Sequence, residues 1–205
     1  MLKSIYIKTI VCVFSMIFFQ TFVFSQKRIS KYEVLWAFKY PISACKIKKE
    51  WPMVMRNYEL VKQSKVLDTL ENGGKMDAFR HVYFMAYLIN YVKEEKLRKL
   101  GIAHEKGNYH QFIKHQLEFS ERPDSLSCIM DLRNNEVGFE LKKALTCFEP
   151  DSLANIVIKQ IHLGKAWYLM RNEQKNYVSC ENEAINLSLY NNNWFIPKCL
   201  IPTNL

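Results

Sequence analysis

Apolar positions recur every three to four residues along most of this chain, the spacing of one face of an α-helix. Residues 31–40 carry Val34, Leu35 and Phe38 at that spacing and predict a short amphipathic helix. Pro41 stops it and suits the first position of the next, so a second helix is expected over residues 42–67, with a bend at Pro52. Leu70-Glu-Asn-Gly-Gly74 reads as a turn. Residues 75–91 predict a central helix that is apolar all round and therefore buried. A helix over residues 93–105 is expected to break at Gly107-Asn108, ahead of a short segment from His110 to Leu117. Residues 121–125 cap a helix over 125–145, and Pro150-Asp-Ser152 starts one that ends near Gly164. From Asn172 onward the period dissolves into Asn, Ser, Lys and Glu. The pattern predicts an all-α, single-domain bundle of about six helices over residues 26–171, with an irregular tail over 172–205 packed on it.

Three polar segments interrupt these apolar helices: Asp77-Ala-Phe-Arg-His81, His104-Glu105 and Met130-Asp-Leu-Arg-Asn-Asn-Glu-Val-Gly138. A buried charge without a partner costs several kcal/mol, so three such segments predict one shared polar site. At about 100° per residue, Asn134, Asn135 and Gly138 fall within roughly 60° of Asp131, while Arg133, Glu136, Glu140 and Lys143 point away. The first group is expected to face inward, with Gly138 admitting a second helix at close range. Asp77 and His81 are one turn apart and Arg80 is adjacent. His104 shares a face with Leu97 and Leu100 and is expected inside, whereas the wheel puts Glu105 beside Glu94 and Arg98 on the charged side.

The combination D-A-F-R-H, H-E and M-D-L-x-N-N-x-x-G resembles the signature of a family of bacterial helical domains recorded mainly as a domain of unknown function. The resemblance spans about residues 36–145 and implies a helical fold and these site positions, but no established reaction. Val82-Tyr83-Phe84 stands where the family commonly has small and Trp residues, and Phe139 where Arg is typical.

The N-terminus reads as a signal peptide over residues 1–25. Lys3 and Lys8 precede an uncharged apolar stretch from Thr9 to Phe24, and cleavage is expected before Gln26, giving an exported protein. Loss of the two lysines takes the formal charge from +9 to +7. That balance suits an anionic envelope component as partner, although the lysines are spread over several helix faces and no nucleic-acid motif accompanies them. Five cysteines remain after cleavage, an odd number; Cys180 with Cys199 is the preferred disulfide, the alternative being that all five are small buried residues.

Two functions follow from these residues. In one, the protein is a hydrolase. Its catalytic residues are His81, His104, Glu105 and Asp131, and Asp77, Arg80, Asn134 and Asn135 bind and orient. One divalent metal ion is held by His81, His104 and Asp131, or a His–Asp pair acts as base without metal. In the other, the same polar cluster only fixes helix packing in a binding or structural domain.

Overall fold

A computed structural model describes residues 29–117, 121–145 and 149–205. The expected signal peptide and Cys147 lie outside them. Six α-helices occupy the described residues: α1 (Lys31–Lys39), α2 (Pro41–Ser64), α3 (Lys75–Leu88), α4 (Glu94–Ile113), α5 (Ser125–Ala144) and α6 (Pro150–His162). Strands β1 (Trp167–Leu169) and β2 (Leu200–Pro202) pair antiparallel, Tyr168 opposite Ile201. No helix among the described residues is long and apolar enough to cross a membrane.

Helix α3 is the axis of the fold, because its apolar surface leaves no side for water. Met76, Phe79, Val82, Tyr83 and Ala86 are fully enclosed. They pack with Val54 and Tyr58 of α2, Leu97 of α4, Phe139 of α5, and Leu153, Val157 and Ile161 of α6. Local chemistry fixes the ends of the elements. Ser30 and Glu33 form a capping box at the start of α1, and Pro41 opens α2, which continues through Pro52. Asp124 caps α5 by accepting from the N–H groups of Leu126 and Ser127.

One expectation needs correction. Residues 93–117 are not a helix, a break and a second segment. Helix α4 is continuous from Glu94 to Ile113. Gly107 sits in it because α1 crosses there: a Cβ would lie 2.6 Å from that of Ser30. The tail is irregular, as expected, and is held by scattered contacts. Residues Arg171 with Tyr177 and Val178 with Ala184 form further bridges, and the Cys180–Cys199 disulfide ties the segment together. Leu169 and Tyr177 pack on Met130 of α5. Lys198 reaches the cap of that helix, its Nζ 2.7 Å from Asp124 Oδ2, both side chains being buried.

Candidate functional site

Helices α3 and α5 come into close contact at Gly138. A Cβ there would stand 2.5 Å from the Val82 carbonyl oxygen. This approach brings the first turns of α3 against the inward face of α5, where Asp131, Asn134, Asn135 and Gly138 are all buried. His81 is the centre. Its Nε2 lies 3.2 Å from Asp131 Oδ1 and 3.5 Å from Asp77 Oδ1. Its Nδ1 lies 3.1 Å from Asn135 Oδ1. An amide oxygen only accepts, so Nδ1 carries the proton in that bond and Nε2 is left facing the two carboxylates.

Asp77 is held from both sides. Its Oδ2 accepts from the Gly73 N–H at 2.7 Å, and Arg80 Nη2 lies 2.5 Å from its Oδ1. Arg80 also donates to the Glu71 carbonyl and lies 3.4 Å from His81 Nε2. Burial raises Asp77 to about 6, with Arg80 pulling the other way. Burial also works against a charged His81, but Asp131 beside it outweighs that and raises its pKa. Asp131 is lowered, since His81 overcomes its burial. Three buried carboxylate oxygens, Asp77 Oδ1, Asp131 Oδ1 and Glu105 Oε1, receive no aligned hydrogen bond.

Glu105 corrects the wheel reading. It is buried, with Asn108 donating to its Oε2 at 2.9 Å. Glu94 and Arg98, its neighbours on the wheel, do not mark a solvent face, because Arg98 pairs with Glu136 on α5. That side of α4 faces α5 throughout, rimmed by ion pairs at one end and closed at the other. Burial and the nearby Asp131 raise Glu105 to about 7. Burial also pushes up the adjoining Cys128 thiol, which stays neutral.

His104 is half-buried at the edge, its ring centre 6.4 Å from that of His81. Its Nδ1 lies 2.9 Å from Oε1 of Glu33 on α1. Burial opposes ionisation of Glu33, but His104 prevails and lowers it to about 2. Glu33 is absent from the sequence-based site; its signal is the Ser30-x-x-Glu33 spacing, which reads only as a cap. Asn134 stands apart from His81. Its amide bonds both backbone groups of Trp167, at 2.9 Å each, and so anchors β1.

The donors that converge within 4.8 Å of one another are those of Asp77, His81 and Asp131. His104 is not among them. Two carboxylates and an imidazole are a fitting set for a divalent ion, and Asn135 supplies the outer contact that orients such an imidazole. A groove of about 560 Å³ lies elsewhere, lined by Glu121, Arg171, Tyr177 and neighbouring tail residues.

A family model described as Domain of unknown function (DUF6973) matches residues 34–165. Comparison with curated proteins and with solved structures gave no match.

Proposed function

We propose that this chain, which belongs to the DUF6973 family, is a metal-assisted hydrolase in which Asp77, His81 and Asp131 hold one divalent ion. The observation that carries the reading is the convergence of those three buried donors, whose facing carboxylate oxygens, Asp77 Oδ1 and Asp131 Oδ1, have only Arg80 and His81 as ion-pair partners. When bound, such an ion supplies a water of lowered pKa. Glu105 is the general base: its pKa near 7 suits taking a proton from that water and returning it to the leaving group. Asn135 holds the His81 tautomer, Arg80 orients Asp77, and His104 with Glu33 forms the half-buried edge that substrate meets. Export belongs to the same reading, and the Cys180–Cys199 disulfide supports it, since disulfides persist in oxidising compartments.

Elemental analysis of the purified protein tests this. Zinc, manganese or calcium is expected at one per chain and is lost in His81→Ala and Asp131→Ala. Glu105→Gln keeps the metal and loses hydrolysis of a panel of chromogenic esters and phosphodiesters. Protein that carries no metal, and whose melting temperature none of the three ions raises, would overturn the proposal.

A second reading rests on Arg80. Its guanidinium stands 2.5 Å from Asp77 and 3.4 Å from His81, where it already supplies a cation to the cluster. Asp77, Arg80, His81, Asp131 and Asn135 then form a network that fixes α3 against α5. Metal-free protein strongly destabilised by His81→Ala, with Glu105→Gln silent in every assay, would establish it.

A further inference from the structure

We propose that the outer face of α1 and α2 is a docking surface for an anionic phospholipid bilayer. Leu35, Phe38 and Ile42 are 63%, 57% and 70% exposed. Leu35 and Phe38 are one turn apart on α1, and Ile42 opens the exposed face of α2 just beyond the corner at Tyr40. Met53 and Leu60 extend the same stripe along α2 and are exposed as well. The gaps between them are filled by Lys39, Lys46, Lys49 and Arg56, each exposed. On α2, Ile42, Lys46, Lys49, Met53, Arg56 and Leu60 lie at steps of three and four residues, one face of the helix.

No acid interrupts this stripe. Glu50 is turned away and accepts from the Tyr87 hydroxyl. Glu33 is on the inner side of α1, against His104. An ordinary solvated face mixes charges of both signs and holds few large apolar groups. Interleaved basic and apolar side chains instead match a lipid surface. The cations meet lipid phosphates, and Leu, Phe and Ile enter the boundary of the acyl chains. A second copy of this chain is a poor occupant, because a two-fold contact would set these cations against themselves. Such docking is independent of the chemistry at Asp77, His81 and Asp131, although it sets the Glu33–His104 edge on the helix that meets the lipid.

Vesicle flotation with the full chain tests the proposal, using phosphatidylcholine alone and phosphatidylcholine mixed with phosphatidylglycerol. Binding is expected to the mixed vesicles at low salt, at least about tenfold stronger than to phosphatidylcholine, and to fall as salt rises. One variant carries Leu35→Ser, Phe38→Ser and Ile42→Ser; another carries Lys39→Gln, Lys46→Gln and Lys49→Gln. Each lysine near an anionic surface is worth about fivefold, so the second variant should lose on the order of a hundredfold. All the altered side chains are exposed, so both variants should keep the wild-type circular dichroism. Hydrogen exchange locates the contact: mixed vesicles should protect amides over residues 31–42. Equal partitioning of wild type and both variants, or flotation without protection there, would place the attachment elsewhere and overturn the proposal. So would a concentration-dependent dimer that the serine variant abolishes.

Discussion

Substituting Gly138 by Ala isolates the contact on which the site depends. In a helix interior the change is ordinarily favourable by about 0.5–1 kcal/mol, because Ala loses less chain entropy than Gly. Here the new Cβ meets the Val82 carbonyl oxygen at 2.5 Å, the Met85 Cβ at 2.9 Å and the Ala86 nitrogen at 3.1 Å. Two of these are backbone atoms of α3 and have no rotamer by which to yield. Restoring ordinary contact at 3.4 Å needs a separation of roughly 0.9 Å between α3 and α5. Overpacking of this kind costs about 1–3 kcal/mol. The clash therefore outweighs the entropy gain, leaving a net loss of about 1–2 kcal/mol. For a chain of this length that lowers the melting temperature by about 2–8 °C. The site should suffer more than the fold. His81 reaches Asp131 at 3.2 Å and Asn135 at 3.1 Å, both across the interface that is forced apart. Urea melts measure the stability, with Glu140→Ala on the exposed side of α5 as control. Titration with the ion found by elemental analysis should show affinity reduced by at least about tenfold. A Gly138→Ala protein as stable as wild type would refute the reasoning about the helix contact.

Asn134→Ala removes both bonds to the part-buried Trp167 backbone, at about 0.5–1.5 kcal/mol each; urea melts should show that loss, and limited proteolysis should cut first in the tail. Glu105 titrates near 7 against an ordinary value of 4.5, so its proton stabilises the folded state fully below about pH 4.5, and that contribution is lost as pH rises through 7. The melting-temperature advantage of Glu105→Gln over wild type should accordingly widen between these pH values and level off above them, whereas a constant difference would mean that Glu105 is ionised throughout. Opening the Cys180–Cys199 bridge with both residues changed to Ser frees a loop of 19 residues' separation and should cost about 3 kcal/mol, measured as a lower urea midpoint that dithiothreitol no longer shifts.

Helical periodicity carried most of what was legible. An apolar stripe names its own buried side, and a helix apolar all round names the core, so α3 and the inward face of α5 follow from the order of residues. Turn chemistry and caps set several helix ends close to where they stand. The failures share a cause. Gly107-Asn108 looks like a break because local propensity cannot register Ser30 of α1 lying against that glycine. Glu105 looks solvated because Glu94 and Arg98 are charged, yet Arg98 is committed to Glu136 on α5. Asn134 shares the inward face with Asn135, but β1, ahead of the tail, takes its amide. The Glu33–His104 pair and the Lys198–Asp124 pair join residues 71 and 74 positions apart. Each is a tertiary contact made by residues that also have a reasonable local role, and no periodicity separates the two.

The charges around His81 lead to the last step. Asp77, Asp131 and Glu105 bring three buried carboxyl groups to one place, and Arg80 is the guanidinium beside them. The Glu33–His104 pair lies at the edge, outside this inner group. With every carboxyl ionised, the inner group is two charges short of neutral, a deficit that a low-dielectric interior does not tolerate. Protons relieve it in part: Asp77 and Glu105 are pushed to about 6 and about 7, and the pKa of His81 is raised. A divalent cation relieves it completely, with His81 neutral and its Nδ1–H retained on Asn135. Binding of such an ion must then displace the protons that stood in for it. Proton release on metal addition near pH 6 separates a site built for a cation from a network already balanced by Arg80.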